Sequence, residues 1–322
     1  MSKVTICICV YNGEKYIIET LESVMMQTSK EFDLLIVNDC STDQGIGMAS
    51  KYLSENAWFN WEIYSFDENG GLAKARYFAE RYIKSKYILF LDADDLMKPQ
   101  MVEKLLLKIE SDSDLIAVGS YLEYIDEDGK HLKGGVYVGA KTKEEFYACA
   151  QKKKLVFMPS SAIFDREQAL LVGGHNVYGF PDGKPYYQDM CEDCDLWTRM
   201  SDLYIYQKAI IVLPEVLCSY RKMNNTMSTD TFAMKLRMRH IKCNLLLRRK
   251  GESEISFIDF MNNLQETELK KIKRECHATD SFRRFAFAVN DKKYLKGIVW
   301  LIIAIISSPK YVYKKAKPYI KK

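Results

Sequence analysis

The feature that most constrains the fold is an alternation of short apolar runs with helical patterns through the first 120 residues. Val4–Val10 is short, continuous and mostly apolar, which reads as a buried strand. Residues 34–37, 61–66 and 87–91 read the same way. Between the first two runs, Ile17, Ile18, Leu21, Val24 and Met25 recur at helical spacing behind Asn12, a residue suited to an N-cap. Residues 72–84 read as a helix, and Pro99 opens another with Met101, Leu105, Leu106 and Ile109 as its apolar stripe. Such repetition predicts an α/β chain with a Rossmann-like, mostly parallel central sheet and helices on both faces. Beyond about residue 230 the pattern turns helical and charged. The expected organisation is an α/β domain over residues 1–229 and a helical C-terminal region over residues 230–322.

Charge is small in total and uneven in place. Forty-seven basic against 43 acidic side chains give +4, too little to point to nucleic acid. Residues 292–322 hold nine lysines and no acidic residue, so the rest of the chain is mildly acidic. A mean hydropathy of −0.24 excludes a polytopic membrane protein. The uncharged stretch 297–309 falls short of the roughly 20 apolar residues that a spanning helix needs. Flanked by lysines, with Trp300 inside it and tyrosines after it, it reads either as a monotopic anchor or as an ordinary buried helix. Met1-Ser2-Lys3 leads straight into a strand-like run without a separate export signal. Together with an odd count of nine cysteines, this predicts a cytoplasmic protein with reduced thiols, peripheral on the inner face of the cell membrane through 292–322.

Three strand ends carry polar signatures: Tyr11-Asn12, then Asn38-Asp39-Cys40-Ser41-Thr42-Asp43, then Asp92-Ala93-Asp94-Asp95. In open α/β sheets ligands sit beyond the carboxyl ends of the strands. Three carboxylates within four positions resist ionising together unless a cation balances them, and a hard divalent cation suits oxygen ligands. The competing reading is an acidic turn capping the helix after Pro99. Further on, Glu192-Asp193-Cys194-Asp195 precedes an amphipathic stretch containing Leu196 and Trp197. One carboxylate there suits a cap and another a general base.

Taken together, these segments and Asn69-Gly70-Gly71-Leu72-Ala73-Lys74-Ala75-Arg76 resemble the family-2 glycosyltransferases over roughly residues 3–230. The resemblance implies the GT-A fold and transfer of a sugar from a nucleotide-sugar donor. It implies that Val10, Tyr11 and Asn12 line the uracil and ribose pocket, and that Asp39 accepts a hydrogen bond from uracil. Arg76 would stand near the base or diphosphate and Asp92 toward the ribose, while Asp94 would hold Mg²⁺ or Mn²⁺. Asp193 would be the catalytic base, Glu192 an acceptor contact and Arg221 a diphosphate contact. The implied partners are a UDP-sugar donor and a glycan or lipid-linked acceptor, with no nucleic acid.

The chain departs from the family pattern at Cys9, Asn38 and Cys40. It departs again at Met223, where a histidine is common and where a thioether is a poor ligand for a hard cation. Cys40 stands where glycine would relax a turn. Cys191 and Cys194 have the spacing of a redox or zinc motif but lack a second ligand pair. The four histidines are scattered and read as surface or core. Two rival functions remain at this point: a haloacid-dehalogenase-like phosphatase or phosphotransferase built on Asp92 and Asp94, and a non-catalytic scaffold on a transferase fold.

Overall fold

The computed structural model describes residues 2–158, 162–183, 186–223, 230–290 and 292–320, so the expected boundary at residue 229 lies outside the described residues. Strands β1 (Val4–Val10), β2 (Phe32–Asn38), β3 (Trp61–Ser65) and β4 (Tyr87–Asp92) form on the four apolar runs. β1 pairs in parallel with β2 on one side and β4 on the other, and β3 adds in parallel to β2. Their connections are α1 (Ile17–Met25), α2 (Gly45–Asn56) and α3 (Leu72–Tyr82). The sheet continues through β5 (Leu96–Met97), β6 (Leu115–Ile125), β7 (His131–Val136), β8 (Ala162–Asp165) and β9 (Ala209–Arg221). Interleaved with these are α4 (Met101–Glu110), α5 (Lys143–Gln151), α6 (Arg166–Leu171) and α7 (Glu192–Met200).

The strand order is β3-β2-β1-β4-β8-β6-β9-β5, with β7 beside β6 and helices on both faces. The first four strands are parallel. Beyond β4, strand β8 runs antiparallel to both β4 and β6, while β6 is parallel to β9. Helices are interleaved in that half too, but its strand directions are mixed and are set by pairing between distant segments. The core is aliphatic: Ile6, Ile8, Ile36 and Leu89 are wholly buried. Phe164 packs against Phe90 and Trp197 at ring centroids of 5.7 and 5.4 Å.

Asn12 does not cap α1. The helix starts at Ile17, and Asn12 sits in the left-handed region with φ 55°. Its side-chain oxygen accepts the Thr42 N–H at 2.8 Å, and its own N–H donates to Ser41 Oγ at 2.9 Å. Asparagine tolerates that backbone because its short polar side chain bonds locally. Cys40 also lies there, at φ 60°, where a Cβ costs about 1 kcal/mol that glycine would avoid.

Residues Met1–Tyr178, Cys191–Asn224 and Ile241–Glu254 form one compact unit, which holds the sheet. Gly179–Met190, Asn225–His240 and Ile255–Lys322 form a second. The remaining helices are α8 (Thr231–Arg248), α9 (Phe257–Asn262), α10 (Glu266–Asn290), α11 (Tyr294–Ser307) and α12 (Pro309–Ile320). The second unit has its own small core of Leu236, Phe257, Ile272 and Cys276. Among the described residues no single helix is long and apolar enough to cross a membrane.

Ile8 lies on the central strand with 0% exposure and hydrogen-bonded neighbours on both sides. Ile8→Ala is expected to cost about 2–5 kcal/mol, read as a lower urea midpoint at unchanged slope.

Candidate active site

The polar ends of β1 and β2 are fastened to each other. The Asp39 N–H donates to the Val10 carbonyl at 2.8 Å, and Asn12 is bound to residues 41 and 42 as described above. Val10 is buried, whereas the Tyr11 side chain is 49% exposed and remains available to a ligand. Asp39 is buried, and its two oxygens collect the loop before α3. Oδ1 accepts from Gly70 N at 2.7 Å; Oδ2 accepts from Gly71 N at 2.8 Å and from Asn69 Nδ2 at 2.9 Å. Burial pushes this carboxyl up from its ordinary range, and the two glycine N–H groups pull it back. Gly71 has φ 89°, a backbone that favours glycine and leads directly into α3.

Arg76 lies on the buried face of α3 and is 3% exposed. Its Nη2 donates to Asp92 Oδ1 at 2.7 Å and its Nη1 to Glu192 Oε1 at 2.6 Å. One guanidinium therefore joins the tip of β4 to the first turn of α7. The Phe90 ring lies 5.1 Å from its central carbon. Burial works against the charged guanidinium, but Glu192 and Asp92 outweigh it and hold its pKa above the ordinary value.

Asp193 follows Glu192 at the start of α7, where the helix dipole favours negative charge. Its Oδ1 accepts the Cys194 N–H at 2.6 Å, and no donor among the described residues takes Oδ2. Burial raises its pKa, while Arg76, the Cys194 N–H and His175 oppose that rise. Glu192 is raised as well, first by burial, with Arg76 pulling down and Asp193 and Asp92 pushing up.

At the tip of β4 the Asp94 carboxyl is pushed up to about 6, by burial first and by the Asp92 charge second. Among the described residues no cationic side chain forms an ion pair with it. A half-buried, unneutralised oxygen donor beside a second carboxylate fits a hard divalent cation. No set of three His, Cys, Asp or Glu side chains among the described residues is arranged to hold a metal unaided. A cation at Asp94 therefore needs further oxygens from substrate or water.

Arg221, expected as a diphosphate contact, is bonded within the protein. It is 1% exposed and spends its donors inside the protein. Nε bonds the Asp94 carbonyl at 2.9 Å, Nη1 the carbonyls of Asp126 and Glu127, and Nη2 Glu19 Oε2 at 2.7 Å. Its backbone N–H donates to Asp95 Oδ1 at 2.9 Å. Arg221 shapes the Asp94–Asp95 turn from behind. Asp95, 1% exposed, is likewise committed to that turn.

His175, expected at the surface or in the core, lies in the core and forms a buried pair with Glu80. Nδ1 lies 2.8 Å from Glu80 Oε1, and the His175 N–H donates to Oε2 at 2.8 Å. The imidazole meets the edge of the Phe90 ring that also flanks Arg76. A Cβ at Gly174 would fall 2.4 Å from Glu80 Oε2, so the glycine before His175 leaves room for the pair. The partners lie 95 residues apart, and the Gly173-Gly174 turn is the only local signal. All nine cysteines are free thiols. A separate open groove of about 590 Å³, lined by Thr28, Lys98, Pro99, Lys104 and Glu215, contains none of the residues above.

A mixed sheet of this order, with carboxylates at the β4 tip and at the start of α7 joined by one arginine, is a GT-A arrangement. Residues 5–171 match glycosyl transferase family 2, and the chain belongs to that family. The teichoic acid poly(glycerol phosphate) polymerase of Staphylococcus epidermidis is 39% identical over 121 residues, 36% of this chain and 16% of that protein. The chain thus spans about one sixth of that relative's length. An uncharacterised glycosyltransferase of Haemophilus influenzae is 32% identical over 229 residues, 70% of this chain and 67% of that protein. Among solved structures, TarS 1–349 of Staphylococcus aureus in complex with UDP-GlcNAc has the same fold, with a TM-score of 0.57 at 19% identity. That match covers 94% of this chain and 79% of the TarS chain.

Arg76→Met leaves Glu192 and Asp92 facing each other without a cation. It should cost about 3 kcal/mol, seen as a lower melting temperature at pH 7. Folding raises the Asp94 pKa from 3.8 to about 6, so the folded chain holds that proton more tightly. The resulting stability, on the order of 3 kcal/mol, is present below about pH 4 and is lost as pH rises through about 6. In EDTA at pH 8, Asp94→Asn should therefore melt several degrees above the wild type, and the gap should close by about pH 4.

Proposed function

We propose that the protein transfers a sugar from a UDP-sugar to a hydroxyl of a glycan or lipid-linked acceptor with inversion at the anomeric carbon. The observation that carries this reading is the Arg76 bridge, which ties Asp92, two residues from Asp94, to Glu192, adjacent to Asp193. A leaving-group site and a base must stand close together for a single displacement, and this bridge brings their two elements to one guanidinium. Family membership supports sugar transfer from a nucleotide-sugar, and the UDP-GlcNAc held by TarS supports a uridine donor. The polymerase relative supports a role in making a surface polymer.

On this reading Tyr11 and Asp39 flank the base at the ends of β1 and β2, with Val10 and Asn12 holding that loop in place. Asp94 would hold Mg²⁺ or Mn²⁺ together with diphosphate oxygens, and the cation's charge would stabilise the leaving diphosphate. The oxygen Oδ2 of Asp193 takes the proton of the acceptor hydroxyl. As that proton leaves, the acceptor oxygen bonds C1 and the C1–oxygen bond to diphosphate breaks on the opposite face. Burial makes Asp193 a stronger base than a solvated aspartate, while Arg76 keeps it ionised. Arg76 and Glu192 act as positioning residues. A cytoplasmic, membrane-peripheral location through 292–322 completes the reading, since a lipid-linked acceptor is presented at a membrane surface.

UDP is expected to raise the melting temperature, and more so with Mn²⁺ present. Asp193→Asn should keep that shift while turnover falls by about 10²–10⁴-fold. Transfer by Asp193→Asn at near the wild-type rate, or indifference of the wild type to every nucleoside diphosphate, would defeat the proposal.

A further inference from the structure

Helix α11 has its amphipathicity reversed relative to a helix packed on a soluble body. Its buried positions are the small residues Gly297 and Ala304. A Cβ at Gly297 would meet Phe285, Ala288 and Val289 of α10 at 3.5–3.6 Å, so the close approach of the two helices uses the missing side chain. Most of the large aliphatic residues are exposed, while Leu301 and Ile303 are partly buried. Leu295 is 84% exposed and Ile306 75%, and Ile298, Val299 and Ile302 are each at least half exposed. Their spacing of three and four residues gathers them into one stripe along the helix. Isolated exposed aliphatics are ordinary, but a continuous stripe marks an interaction surface.

The charge around the stripe selects the partner. Lys292, Lys293 and Lys296 stand at its start, and Lys310, Lys314 and Lys315 follow on α12. Residues 292–322 contain nine lysines and no acidic side chain. Two copies meeting through this face would bring two sets of lysines together, which opposes self-association. An anionic lipid surface satisfies both halves of the pattern, apolar contact along the stripe and attraction at its ends. Fourteen residues make a helix about 21 Å long, short of the roughly 30 Å hydrocarbon thickness, so the fitting geometry lies in the plane of the interface.

We infer that α11 is an in-plane docking helix for an anionic phospholipid leaflet, with its Leu295–Ile306 stripe in the acyl region and the flanking lysines among the headgroups. The inference deepens the peripheral location proposed above and does not depend on the donor chemistry. The test is flotation of the full chain with vesicles of phosphatidylcholine alone or with about one-third phosphatidylglycerol. The wild type should float with the anionic vesicles, and less so as salt rises from about 0.1 M to about 1 M. Leu295→Glu with Ile306→Glu changes two highly exposed residues and should weaken flotation about tenfold or more. Lys310→Gln with Lys314→Gln should weaken binding to anionic vesicles by about fivefold per lysine and leave neutral vesicles unaffected. Equal flotation of wild type and the glutamate variant, equal binding to neutral and anionic vesicles, or a dimer that floats with neither would overturn it. The UDP-induced melting shift, measured on the same proteins, reports on the transferase reading separately.

Discussion

A single buried guanidinium organises the candidate site. Arg76 draws one carboxylate from the end of β4 and another from the start of α7, segments more than 90 residues apart in sequence. Glu192 is 8% exposed and Asp92 partly so; burial pushes the Glu192 carboxyl up, and the Arg76 charge pulls it back down. The same charge pulls the adjacent Asp193 carboxyl down against the rise that burial imposes, so the residue that holds the site together also acts on the proposed base. Phe90 supports this arrangement from the sheet, with Arg76 on its ring and the His175–Glu80 pair at its edge.

A second arginine does comparable work at the metal-proposed end. Arg221, at the end of β9, binds the carbonyl of Asp94 and, through its backbone, the carboxylate of Asp95. Its donors go to carbonyls and to Glu19, so it fixes the turn without an ion pair to the Asp94 carboxylate, which its charge only partly offsets. Burial and the Asp92 charge outweigh that help and keep the Asp94 carboxyl raised. On the proposed function, a cation and a diphosphate would relieve the cost that burial and the Asp92 charge impose there.

The parallel half of the sheet was legible because each strand is a continuous apolar run and each connection a local pattern. Helix α2 was less so, since it buries only Gly45, Ala49 and Leu53 and presents no strong stripe. The start of α1 was misread because an asparagine serves equally as an N-cap or as a left-handed hinge, and here Thr42 decides between them. The order of β8, β6 and β9 depends on pairings between distant segments, which no local periodicity encodes. At the site, Asp39, Asp92, Asp94 and Asp193 stood out by residue type and position at strand or helix ends. Arg221 is expected at the diphosphate from the family pattern around Tyr220-Arg221, and its burial against Asp94, Asp126, Glu127 and Glu19 is set by segments far along the chain. The pairing of His175 with Glu80 was not legible because the partner lies on another element, out of reach of any pattern read along the chain.

The turn into α7 carries one further implication. Cys191 enters that helix with φ 58°, so the two carboxylates behind it are launched from a hinge that most side chains resist. Glycine would occupy it freely and cysteine tolerates it, while valine, isoleucine or threonine would press the backbone toward an extended path. Drift at position 191 is thereby restricted to small or unbranched residues, although its thiol belongs to none of the proposed chemistry. The aim of both acids is inherited from a backbone angle one residue upstream.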